Sequence, residues 1–198
     1  MAYSNFTIKQ VISQFGLKVV TEHIFDDVED MSMSAWLSQT LQNYKKIPLS
    51  SEKARGELIV SPILTEIKLL NDFISIHSGN NLEADLSLSL NGECDFILSI
   101  QEDLPEIILP VFGIVEAKKN DIDFGIGQCI AQMYGARILN ERDNNGVYTI
   151  FGAVTTGEIW QFMKLEDQTV WIDEKRYYID NVEQILGILQ NIVDRYRV

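Results

Sequence analysis

An α/β fold, with a small mixed β-sheet flanked by helices, is what three stretches of the sequence predict. Residues 51–73 place Ile59, Ile63, Ile67 and Leu70 at the three- to four-residue spacing of a helix with one apolar face. The next stretch changes period: Leu86, Leu88 and Leu90 alternate with Ser87 and Ser89, as in a strand with one buried face. Residues 124–140 then return to helical spacing, and two further strand-like runs follow. A helix, a group of strands, a helix and more strands together define an α/β domain.

In chain order, residues 7–20 read as a short helix with Gly16 near its end. Residues 33–43 read as a second, with Met33, Leu37 and Leu41 at four-residue steps on one face. Between them Glu22, Asp26, Asp27, Glu29 and Asp30 suit a solvated connection. In the helix after Ser51, Pro62 is expected to introduce a bend or start a second helix. Asn91-Gly92 is a turn signal, which predicts a strand pair closing there and continuing through Asp95 to Leu98. Pro105 and Pro110 mark a break before VFGIVEAKK, a short apolar run suited to a central strand that ends at Glu116 and Lys118. In the helix at 124–140, Gln128 and Gln132 share a face. NERDNNG ends that helix, strands flank Thr156-Gly157, a third strand is expected at QTVWI, and residues 181–196 suit a closing helix.

The 198 residues fit a single domain. We divide it into a helical N-terminal extension at 1–48, a core at 50–165 and the closing helix. Its net charge of −13 excludes a generally basic surface of the kind that grips nucleic acid along its length. Two cysteines and two histidines are too few for a Cys/His zinc site or a disulfide scaffold. Without a basic start and apolar run at the N-terminus, or a stretch of about 20 apolar residues, a cytoplasmic protein with no membrane partner is expected. Cys94 and Cys129 read as small buried apolar residues. Trp160, Trp171, Tyr177 and Tyr178 read as core and edge aromatics. Gly125 and Gly127 lack the remainder of a phosphate-binding loop, which leaves no support for an ATPase.

Asp95, Glu116 and Lys118 carry the chemistry. Taken singly, Asp95 suits a hairpin cap and the Glu116/Lys118 pair a strand-end ion pair. Taken together, an aspartate on one strand and Glu-x-Lys on one side of its neighbour bring three ionisable groups to one place. Two carboxylates there suit a hard divalent cation, and the lysine can orient or help deprotonate a water and offset phosphate charge.

Asp95, Glu116, Ala117 and Lys118 resemble the D…ExK centre of the PD-(D/E)xK nuclease superfamily, and the order of elements over residues 50–165 is similar to that superfamily's restriction-endonuclease-like core. The chain departs from the pattern in having Cys94 where a proline commonly precedes the aspartate. The resemblance implies a metal-dependent endonuclease acting on DNA, with RNA left open, and Mg²⁺ as the ion with Mn²⁺ as a substitute. It implies that Asp95, Glu116 and the Ala117 carbonyl hold the metal and that Lys118 positions the hydrolytic water. It adds a glutamate from the preceding helix, for which Glu52 is the first candidate and Glu57 and Glu66 the alternatives, and a glutamine from the following helix, matched by Gln128. A nuclease-fold protein without activity, acting as an interaction module, is the alternative. Lys45, Lys46, Lys53 and Arg55, with Lys118, Lys119 and Arg137, form the basic interval available for phosphate contacts. Because that interval is short, a protein partner or a second copy of the chain is a candidate to complete the binding groove.

Overall fold

The computed structural model describes residues 2–101, 106–107 and 109–197, so the expected break at Pro105 lies outside the described residues. The elements are α1 (Ile8–Phe15), β1 (Lys18–Glu22), α2 (Ala35–Tyr44), α3 (Glu52–Arg55), α4 (Ser61–Leu69), β2 (Ile74–Asp85), β3 (Leu90–Ile100) and β4 (Val111–Ala117). They continue with α5 (Ile122–Asp143), β5 (Ile150–Thr155), β6 (Ile159–Glu166), β7 (Thr169–Asp173), β8 (Tyr177–Tyr178) and α6 (Val182–Asp194). One mixed sheet runs β1-β7-β6-β5-β4-β3-β2, with β8 on β6. The β1–β7 and β4–β5 pairs are parallel and the other pairs antiparallel.

Alternation along the strands separates two cores. Phe96, Phe151 and Phe162 face one layer with residues of α2, α4 and α6, while Ile97, Val154 and Met163 face the other with residues of α1 and α5. The expected α/β class, with a mixed sheet flanked by helices, is the observed one. Every residue of β4 is buried, as a strand with five neighbours in the sheet to one side and two to the other requires.

Four local expectations need correction. The helix expected at 7–20 ends at Phe15, and Gly16, at φ +67°, caps it in the left-handed region open to glycine. Residues 18–22 instead form β1, because a parallel partner, β7, supplies hydrogen bonds that the local sequence does not announce. The hairpin turn falls at Leu86–Ser89 and not at Asn91-Gly92. There the Asp85 carboxylate accepts from the Ser87 and Leu88 N–H groups at 3.0 and 3.2 Å, while Asn91 and Gly92 pair with Glu83 and Leu82 inside the ladder. Leu70, placed on the apolar stripe, is 56% exposed at the C-cap of α4.

Pro62 stands in the first turn of α4, so the expected second helix does begin at the proline. Residues 56–60 form a π-helical turn between α3 and α4, and the joints at Arg55, Val60 and Ser61 all keep right-handed helical backbone angles. The proline follows the wider turn, in the first turn of α4, where its missing N–H costs no α-helical hydrogen bond. The five acidic residues of the connection are exposed, as expected, while Phe25 among them is buried in the α2–α4–α6 core. No helix among the described residues is long and apolar enough to cross a membrane.

Candidate functional site

The site lies where β3 and β4 run side by side under the start of α3. Asp95 sits in the body of β3, between Cys94 and Phe96, which pair with Asn80 and Val115 respectively, so it is no hairpin cap. Glu116 is the penultimate residue of β4. Lys118 follows the strand, and its N–H donates to the Thr155 carbonyl at 2.7 Å, which anchors it to β5. Ser51 caps α3, its hydroxyl accepting from the Ala54 N–H at 3.1 Å, and so aims the first helical residue, Glu52, at the strands.

Carboxylate oxygens of Glu52, Asp95 and Glu116 all lie within 4.8 Å of one another. The Lys118 ammonium donates to Glu116 Oε1 at 2.6 Å and lies 3.6 Å from Glu52 Oε1. The Ala117 N–H donates to Asp95 Oδ2 at 2.7 Å, so the bond seen at Ala117 uses its amide, and the role expected for its carbonyl is a separate matter. Gln128 Nε2 donates to Glu116 Oε1 at 2.5 Å, and Gln132 Nε2 donates to Oε2 at 2.8 Å. A cleft of about 550 Å³ opens over Glu52, Asp95 and Ala117, with Ser61, Ser78 and Phe96 among its walls.

Of the three glutamates considered for the helix position, Glu52 joins the group. Glu57 lines the same cleft but faces Lys53 at 3.7 Å. Glu66 is buried elsewhere, where it accepts from the Ser34 N–H and hydroxyl at 2.6 and 2.8 Å and holds the start of α2. Gln132 was not among the expected site residues; its signal was its position one turn after Gln128 on the same helical face.

Burial pushes the Glu116 carboxyl up to about 7, and the Asp95 charge adds to the rise. Asp95 is also raised, chiefly by burial. For Lys118 burial disfavours the charge, yet attraction to Glu116, Glu52 and Asp95 outweighs it and the pKa is raised. The lysine is therefore held as an ammonium.

Three carboxylates against one ammonium leave an excess of negative charge in a half-buried site. Each pair of ionised carboxylates at such separations repels by roughly 3 kcal/mol at an effective dielectric constant of about 20. An all-oxygen donor set with excess negative charge fits a hard divalent cation.

The basic interval is mostly matched by anions. Lys53 faces Glu57, and Arg55 donates to Glu158 Oε2 and to the Thr156 carbonyl, each at 2.9 Å. Arg137 stays away from the carboxylate group: its guanidinium lies beside Glu141 and over the Tyr134 ring, in a different cleft. Cys94 and Cys129 are both buried, and burial raises both thiols, so neither is primed as a nucleophile. Trp160 and Tyr177 are buried in the core, whereas Tyr178 is exposed. No family model matches the chain, and no curated protein matches it.

Proposed function

We propose that the chain is a metal-dependent nuclease of the PD-(D/E)xK type that hydrolyses phosphodiester bonds in DNA, with Mg²⁺ as its ion and Mn²⁺ as a substitute. The observation that carries this reading is the convergence of Glu52, Asp95 and Glu116 within 4.8 Å, with the Lys118 ammonium bonded to Glu116, beside an open cleft. Strand alternation accounts for the approach of Asp95, Glu116 and Lys118, and the capped start of α3 adds Glu52. The fold adds support: a helix over 52–69, the antiparallel β2–β3–β4 meander, α5, and β5 parallel to β4 follow the order of a restriction-endonuclease-like core.

In this reading Asp95, Glu116 and the Ala117 carbonyl hold the metal and Glu52 closes the site. The bound ion supplies Lewis-acid polarisation of the phosphodiester and lowers the pKa of a water. Lys118, kept as an ammonium, orients the attacking water and offsets charge that develops on the phosphate; in this protonation state it is a poor proton acceptor. Gln128 holds Glu116 Oε1 in place, and the Ala117 N–H does the same for Asp95.

A second reading, an inactive nuclease-fold protein serving as an interaction module, draws on the charge. The chain carries −13, and Glu57 and Glu93 add to the acid lining of the cleft. A polyanion binds such a surface weakly unless cations or a partner intervene. The two readings separate in a cleavage assay with labelled single- and double-stranded DNA and RNA, in Mg²⁺, Mn²⁺ or chelator. The nuclease reading expects metal-dependent cleavage of DNA that Lys118→Ala lowers by roughly 10²–10³-fold in kcat. A folded wild-type protein that cleaves none of these substrates in either metal supports the interaction module instead.

A further inference from the structure

Gln132 commits its amide to a single bond, and that bond goes to Glu116. The side chain is completely buried, Nε2 donates to Glu116 Oε2 at 2.8 Å, and Oε1 is buried with no hydrogen-bond partner. An unsatisfied buried carbonyl costs about 1–3 kcal/mol, and an apolar side chain of the same length would fill the space without it. The surrounding packing therefore gives no reason for an amide here, whereas the carboxylate does.

The two oxygens of Glu116 are unequally used. Oε1 accepts from both Lys118 and Gln128, which fills its two lone pairs; Oε2 accepts from Gln132 alone among the described residues. One acceptor position thus remains on Oε2, and the direction in which it points depends on the donor on the other lone pair. We infer that Gln132 is a positioning residue, which sets the plane of the Glu116 carboxylate so that Oε2 presents its remaining lone pair to a divalent cation. The inference rests on the metal-centre reading above. Gln132 lies too deep to touch substrate and acts through Glu116 only.

Calorimetric titration of Mn²⁺ into wild type, Gln132→Met, Gln132→Asn and Asn140→Ala tests it. Met keeps the length and loses the donor, and Asn keeps the amide but falls one methylene short. Asn140 is also buried on α5 and holds Val111 and Val147 by hydrogen bonds, so its variant disturbs the same helix without touching Glu116. The expected result is a dissociation constant weakened about 10–100-fold in both Gln132 variants, the size of effect seen when a ligand loses its supporting hydrogen bond, and unchanged in Asn140→Ala even where its melting temperature falls. A folded Gln132 variant that binds Mn²⁺ as tightly as wild type, or an Asn140→Ala protein weakened to the same degree, overturns the inference. Wild-type protein that takes up no Mn²⁺ overturns the metal-centre reading itself, and the inference with it.

Discussion

Glu116 is where opposing demands meet in one residue. At 2% exposure its carboxyl is raised to about 7, while Lys118, Gln128 and Gln132 all donate to it. Between the ordinary value of 4.5 and about 7 the folded chain holds a proton there that the unfolded chain has released. The metal-free protein should therefore lose stability as pH rises through that window, with a limiting slope of about 1.4 kcal/mol per pH unit for one proton. A cation competes with the same proton, so Mn²⁺ affinity should rise over the same range and binding should release a proton. Melting temperatures from pH 4.5 to 8, and titrations in two buffers of different ionisation heat, check both. Affinity that is flat across pH 7 would place the cation elsewhere. Asp95, Glu116 and Lys118 were legible in the sequence because strand alternation is a local rule. For Gln132 the sequence showed only the face shared with Gln128; its bond to Glu116 depends on how α5 lies against β4.

At the scale of elements, α5 is pressed against the sheet at a glycine. A Cβ at Gly125 would lie 2.6 Å from Val154 Cγ1 and 3.0 Å from Lys118 Cγ, so the helix approaches β5 and the lysine stem more closely than any side chain allows. Gly125→Ala should cost about 1–3 kcal/mol through overpacking and should reduce cleavage beyond what lost stability explains, because the displaced atoms include the Lys118 stem. Thermal melts and single-turnover rates measure the two effects, and a variant with wild-type values for both would contradict the packing argument. The long elements α4, α5 and α6, and the strands around Thr156-Gly157, were legible from their periods. The hairpin turn was misplaced because Asn-Gly is a strong local signal, yet the carboxylate of Asp85, several residues earlier, satisfies the turn's N–H groups. β1 was missed because five residues of mixed polarity become a strand only beside β7, some 150 residues later in the chain.

For the whole molecule, residues 2–22 are built into the structure. β1 forms one edge of the sheet, and Phe6, Val11 and Leu17 are buried with residues of α5. Full burial of each such side chain contributes roughly 1.5–3 kcal/mol, a large share of the 5–15 kcal/mol typical of a domain. Removal of residues 1–22 should therefore leave a chain without a cooperative thermal transition by circular dichroism; a truncated protein that melts like the intact one would contradict this. The charge of −13 carries a second consequence at this scale. Lys53 and Arg55 are engaged by Glu57 and Glu158, so under the proposed nuclease reading a polyanion at the cleft would depend on a bound cation or a partner protein. The sign and size of the charge were plain in the sequence, but the pairing of the basic interval emerged only with the fold.

The central claim, that Glu52, Asp95 and Glu116 form a divalent-cation site, is tested most directly by crystals of the wild-type protein grown with Mn²⁺ and measured for anomalous scattering. One strong peak is expected between the Asp95 and Glu116 carboxylates, on the side facing Glu52 and the cleft. A protein whose ordered Glu116 carboxylate remains bonded to Lys118, Gln128 and Gln132 with no anomalous peak beside it has no divalent-cation site there.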